Sequence, residues 1–317
     1  MSVAVRSVQP VWAEALHTLS ARRKSNVIVT YTGREDAESV IDELGRAGLP
    51  ADAEILFALP KAMIPMSTII RRSGHFPASW YLRTKPLPGI GLVADESTRI
   101  AKSWGADLII AGSQGSPNVE PPYFGCSSPG IAERAHCSVR IVRGRAHRAG
   151  SSPRLLVGVD GSAGSIAAIR ELAKRAWATG TAARIVMVEE PAPESPRRSS
   201  TRQAWDTSAT GSTLSRTERL LAHEEAAEAL RRAGLEVSTE IRRGDPALQL
   251  VDAARDWGAD CIVVGSHGNG RAWIDDEQRE GLGAVAGALA HRALISVEIV
   301  RERPARASTS YETPQWM

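Results

Sequence analysis

Two short segments bring acidic, hydroxyl and glycine residues together at the ends of apolar runs. Asp160-Gly161-Ser162 follows RLLVGV, and Gly265-Ser266-His267-Gly268 follows DCIVV. Glycines at strand ends let backbone N–H groups approach an anion closely, because no Cβ intervenes. A helix starting after Gly283 would add the positive end of its dipole to the same place. The Asp160 carboxylate could accept hydrogen bonds from a ribose or an adenine. These residue types suit a nucleotide with a phosphate tail. The alternative is that the glycines only make tight strand-to-helix turns.

Other chemistry finds little support. No glycine precedes a lysine, so there is no Walker A loop. Gly281-Leu282-Gly283-Ala284-Val285-Ala286 imitates a dinucleotide fingerprint, but it follows the acidic run DDEQRE and not a strand, so it reads as a helix start. Ser162 lacks the leading glycine of a nucleophile elbow and reads as a helix cap. His223-Glu224-Glu225 has no second histidine for a zincin site. Arg243-Gly244-Asp245 reads as a turn in an α/β unit. The cysteines, Cys126, Cys137 and Cys261, show no CxxC spacing, which argues against zinc or disulfides and for a reducing compartment. Cys126 stands near a predicted helix N-terminus, where a thiol pKa can fall; the simpler reading is a small residue in place of serine. Cys137 and Cys261 lie in apolar strand contexts and read as core thiols.

The elements that position these residues come from an internal repeat. WGADLIIAGSQG from Trp104 parallels WGADCIVVGSHG from Trp257. NVIVTYTG from Asn26 parallels RLLVGVDG from Arg154, and CSVRIVR from Cys137 parallels ISVEIVR from Ile295. The second copy predicts strands at 154–159, 183–190, 235–242, 260–265 and 296–301. Between them fall helices from Ser162 to about Thr179, at 213–234, from Pro246 and at 283–293. In the first copy, strands at 53–59 and 79–83 and helices at 36–48 and 92–104 fit the same order; five prolines in 60–89 leave the second crossover helix reduced or lost. Alternation of strand and helix predicts parallel sheets with helices on both faces. Each copy is then a doubly wound α/β unit, five-stranded and Rossmann-like. If each sheet runs 3-2-1-4-5, the order reverses between strands one and four, where the glycine segments lie.

The chain has 317 residues, enough for two domains, and 43% hydrophobic against 24% charged residues suits a globular protein. A net charge of +3, from 39 Lys+Arg and 36 Asp+Glu, gives no nucleic-acid or membrane-surface footprint. The first 24 residues lack a signal-peptide pattern, and the apolar runs fall short of a membrane span, so the expected location is cytoplasmic. The expected domains are an extension at 1–24, a divergent first unit at 25–145, a linker at 146–153, a second unit at 154–302 and a disordered tail at 303–317.

These residues resemble the universal stress proteins in their tandem two-domain form. Many members bind ATP through Gly, two residues, Gly, nine residues, then Gly with Ser or Thr. Gly112, Gly115 and Gly125 have that spacing; Gly265, Gly268 and Gly283 have fourteen residues between the last two. The resemblance implies a nucleotide site in the second half from Asp160, Val188, Gly265, His267, Gly268, Gly283, Ala284 and Val285. It implies a degenerate counterpart in the first half from Thr32, Gly112, Gly115, Gly125 and Cys126. In the first half, Thr32 replaces the family's Asp and Cys126 its Ser or Thr. In the second half, Ala284 replaces that hydroxyl, and His267 stands where an Arg is frequent. The longer loop brings Asp275, Asp276, Glu277 and Glu280 toward the phosphates, where Mg²⁺ would have to bridge them. The implied function is a stress-associated protein that binds or senses adenine nucleotides (ATP, ADP or AMP, with Mg²⁺) and has no robust catalysis. The alternative is an interaction or scaffold protein with degenerate sites. No nucleic-acid or membrane partner is expected, and the last strands of the two halves should meet as an internal pseudo-dimer.

Overall fold

The computed structural model describes residues 25–31, 34–60, 76–88, 93–113, 128–144, 151–189, 216–268 and 281–302. Strands β1 (Asn26–Thr30), β2 (Glu54–Pro60), β3 (Tyr81–Leu87), β4 (Leu108–Gly112) and β5 (Ser138–Val142) belong to the first half, with helices α1 (Arg34–Arg46), α2 (Val93–Trp104) and α3 (Ser128–Arg134). The second half holds β6 (Arg154–Gly158), β7 (Ala182–Glu189), β8 (Glu236–Arg243), β9 (Cys261–Gly265) and β10 (Ser296–Val300). Its helices are α4 (Ala163–Lys174), α5 (Arg216–Arg232), α6 (Pro246–Trp257) and α7 (Ala284–Arg292). The inner strands are apolar runs because helices cover both faces of a parallel sheet.

The ten strands among the described residues form one sheet, ordered β3-β2-β1-β4-β5-β10-β9-β6-β7-β8. Neighbours run parallel except at the centre, where β5 and β10 pair antiparallel with Val297 opposite Ile141 and Ile299 opposite Val139. Each half is thus a five-stranded, doubly wound unit of order 3-2-1-4-5. One apolar core crosses the seam, uniting Ile100, Ile131 and Ile141 with Ile262, Leu289 and Ile299. On the opposite face each half keeps its own core.

Between those two cores the seam is filled by charge. Arg140 and Glu298 face each other across β5 and β10. Arg140 Nε donates to Glu298 Oε2 at 2.8 Å, and its Nη1 to Glu43 Oε1 at 2.8 Å. Arg175 Nη1 donates to the same Glu298 oxygen at 3.0 Å, and its Nη2 pairs with Oε1. All four side chains are buried. Burial alone would raise the Glu298 pKa, but Arg175 and Arg140 outweigh it and hold the carboxyl at about 2. Arg140 and Glu298 occupy equivalent positions of the repeat, so a symmetric pairing would set like charges together.

Two elements differ from the sequence reading. Helix α4 stops at Lys174, short of Thr179, because Arg175 turns extended and sends its side chain to Glu298 and to Ala47 O. Strand β3 begins after Ser79 and runs through Pro86. As an edge strand it tolerates a residue with no N–H to donate. The segment expected to hold the reduced crossover helix lies largely outside the described residues.

Candidate functional site

The site is built where β6 and β9 end side by side, at the reversal of strand order. Gly161 takes a left-handed φ of 85° to turn the chain into α4. Ser162 caps that helix, its Oγ accepting from Ser165 N at 3.2 Å. The helix start presses directly on the end of β9. A Cβ on Gly164 would stand 2.2 Å from His267 O, and one on Gly265 2.4 Å from the Gly164 carbonyl carbon. Glycine at 164 and 265 is therefore required by the protein's packing on itself.

Asp160 Oδ1 accepts from Ser162 N at 2.9 Å, and its Oδ2 lies where a Cβ on Gly268 would approach to 2.6 Å. Ser162 Oγ also lies 3.5 Å from His267 O, which sets the α4 cap against the end of β9. The His267 ring is buried, with Nδ1 3.2 Å from Ser266 Oγ. Gly283 N donates to Ser266 O at 2.9 Å and starts α7 without a side-chain cap. The amides of a helix's first turn have no intrahelical acceptor, so this end can receive an anion.

These parts enclose a cleft of about 820 Å³. Its apolar side comprises Val186, Val188, Leu250 and Val264; Asp160, Ser162, Ser165, Ser266 and His267 give it polar groups. All eight second-half residues inferred from the sequence, Asp160, Val188, Gly265, His267, Gly268, Gly283, Ala284 and Val285, line it. Sequence reasoning missed Arg219, Pro246 and Leu250. Arg219 reaches the cleft from α5, whose charged sequence reads as an ordinary solvated helix. Asp275, Asp276, Glu277 and Glu280 lie outside the described residues.

The first half is filled differently. Gly112 ends β4 as Gly265 ends β9, but a Cβ there would meet the Asp36 side chain at 2.9–3.1 Å. Asp36 takes the place of Gly164 in the repeat and is 3% exposed. Thr30 stands for Gly158 and Ser97 for Leu250, and both are buried. Thr32, Gly115, Gly125 and Cys126 lie outside the described residues. Among the described residues no group of three or more His, Cys, Asp or Glu could hold a metal ion. No described helix is long and apolar enough to cross a membrane.

Residues 152–301 match the universal stress protein family. The second half thus carries a universal stress protein domain. Among solved structures, a universal stress protein of Archaeoglobus fulgidus is 17% identical, covers 88% of this chain and 97% of its own, and superposes with a TM-score of 0.53. That likeness shows that the universal stress protein fold extends over both halves. The universal stress protein UspA of Lactobacillus plantarum is 21% identical, covering 48% of this chain and 99% of its own, at a TM-score of 0.30. A universal stress protein in complex with cAMP is 22% identical, covering 48% and 98%, at a TM-score of 0.32. No curated protein matches the sequence at a significant level.

Proposed function

We propose that the second-half cleft binds an adenine nucleotide and that the protein is a cytoplasmic, stress-associated nucleotide binder or sensor without robust catalysis. The observation that carries this reading is the meeting, in one cleft, of an apolar slot, the Asp160 carboxylate and the α7 N-terminus. A volume of about 820 Å³ falls in the range of small-molecule sites. Val186, Val188 and Leu250 suit a base. The amides of Ala284 and Val285 suit a phosphate, and Arg219 adds a cation. The Ser162 hydroxyl is engaged with Ser165 N and His267 O, which supports binding over catalysis.

The cleft supports AMP or ADP over ATP, because Ala284 brings no hydroxyl to the outer phosphates; Mg²⁺ bridging the acidic loop would narrow that gap. The first half reads as the degenerate partner of an internal pseudo-dimer, its Asp36 carboxylate set against Gly112 where phosphate would have to approach. Titration with AMP, ADP and ATP tests the assignment. Asp160→Ala should abolish binding, and Gly115→Val should barely change it. Loss in Gly115→Val with retention in Asp160→Ala would show the working site to be the other one.

A further inference from the structure

The two halves exchange arginines. Arg143 and Arg301 end equivalent repeat segments, and each reaches across the seam to the last helix of the other half. Arg143 Nη1 donates to Leu289 O and Ala293 O at 3.1 and 2.7 Å, and its Nη2 to Ala290 O, closing the C-terminal end of α7. Arg301 Nη2 donates to Ala132 O and Glu133 O, at 2.9 and 3.0 Å, at the end of α3.

Arg301 also has a partner within its own half. The same Arg301 nitrogen also lies 3.0 Å from Gly281 O, sharing its two N–H groups among three carbonyls, and Gly281 N donates to Glu133 O at 3.0 Å. Gly281 opens the segment Leu282-Gly283-Ala284 that borders the cleft and leads into α7. Arg301 is 8% exposed, so these bonds face little competition from water. The wall that offers amides to an anion is thus tied to a helix of the opposite half.

We propose that Arg301 is a positioning residue through which α3 of the first half fixes the phosphate-facing lip of the second-half cleft. The first half then sets affinity in the second, and by linkage a ligand in the cleft steadies α3. This rests on the nucleotide reading of the cleft. The effect belongs to the phosphate, because the lip precedes the α7 N-terminus, whereas the apolar slot is formed by β7, β9 and α6.

The test uses the full chain as wild type, Arg301→Ala, Arg301→Lys and Arg143→Ala. Each is titrated with AMP and with adenosine, and amide hydrogen exchange is followed at 282–286 without ligand. Arg301→Ala should weaken AMP about tenfold, a usual size for coupling between sites, and leave adenosine within about twofold. Exchange at 282–286 should quicken. Arg301→Lys keeps the charge and should fall between, which covers the case of a poorly folding alanine variant. Arg143→Ala, which grips the far end of α7, should lower stability without changing the AMP-to-adenosine ratio. Equal losses for AMP and adenosine in Arg301→Ala, or no loss with unchanged exchange, would overturn the proposal. If the wild type binds neither ligand, the nucleotide reading fails and exchange decides Arg301 by itself. Faster exchange at 282–286 in Arg301→Ala but not in Arg143→Ala supports the tether; equal rates in both overturn it.

Discussion

Replacing Glu298 by Gln should destabilise the chain by about 3–5 kcal/mol, because it leaves two buried guanidinium groups short of their shared counter-ion. Glu298 is fully buried and receives both Arg140 and Arg175. Its pKa falls from an ordinary 4.5 to about 2, and such a depression corresponds to about 3 kcal/mol. A folded-state pKa below the unfolded value means that this contribution is complete above about pH 4.5. It is lost as pH falls from there toward 2. Urea unfolding at pH 7 and pH 3 reads both effects: the wild type should lose stability on acidification, and Glu298→Gln should lose less. Exchanging the pair, Arg140→Glu with Glu298→Arg, should not restore stability. Residue 140 would then face Glu43 and residue 298 would face Arg175, like against like. A Glu298→Gln variant within about 1 kcal/mol of wild type at pH 7 would refute the view that this charge cluster secures the seam.

Gly164→Ala should cost at least about 2 kcal/mol in urea unfolding, since its Cβ would meet backbone at His267 O, which cannot swing aside. Native-state thiol labelling at neutral pH should modify no more than one of the three cysteines quickly. Cys137 and Cys261 are buried, and burial pushes the Cys261 thiol well above its ordinary range. Burial lowers the His223 pKa, partly opposed by its bond to Ile185 O and by Glu224, so the stability that neutral His223 contributes should fade as pH falls below 6.5. His223→Gln should flatten the stability profile there and leave the Glu298 window at lower pH unchanged.

Much of the fold was readable because parallel inner strands are buried on both faces and stand out as apolar runs, as RLLVG and CIVVG do. The glycine positions were readable too, but not their cause. Only the packed structure shows Gly265 giving way to Gly164, and Asp36 lying against Gly112. In sequence, Asp36 sits in an acidic helix start and looks solvated. Arg140 and Glu298 were hidden for a similar reason: they alternate with Val139, Ile141, Val297 and Ile299 and look like solvent-facing positions. Their partners Glu43 and Arg175 lie 97 and 123 residues away, beyond any local pattern. Arg301 escaped notice because a carbonyl acceptor leaves no mark on residue type.

The proposed nucleotide site lies in one half of a two-fold repeat. Calorimetric titration of the full chain with AMP, ADP and ATP, with and without Mg²⁺, tests it most directly. One site per chain is expected, occupied by AMP or ADP in preference to ATP when Mg²⁺ is absent, and lost in Asp160→Ala. Two equivalent sites per chain, or a site that survives Asp160→Ala, would contradict it.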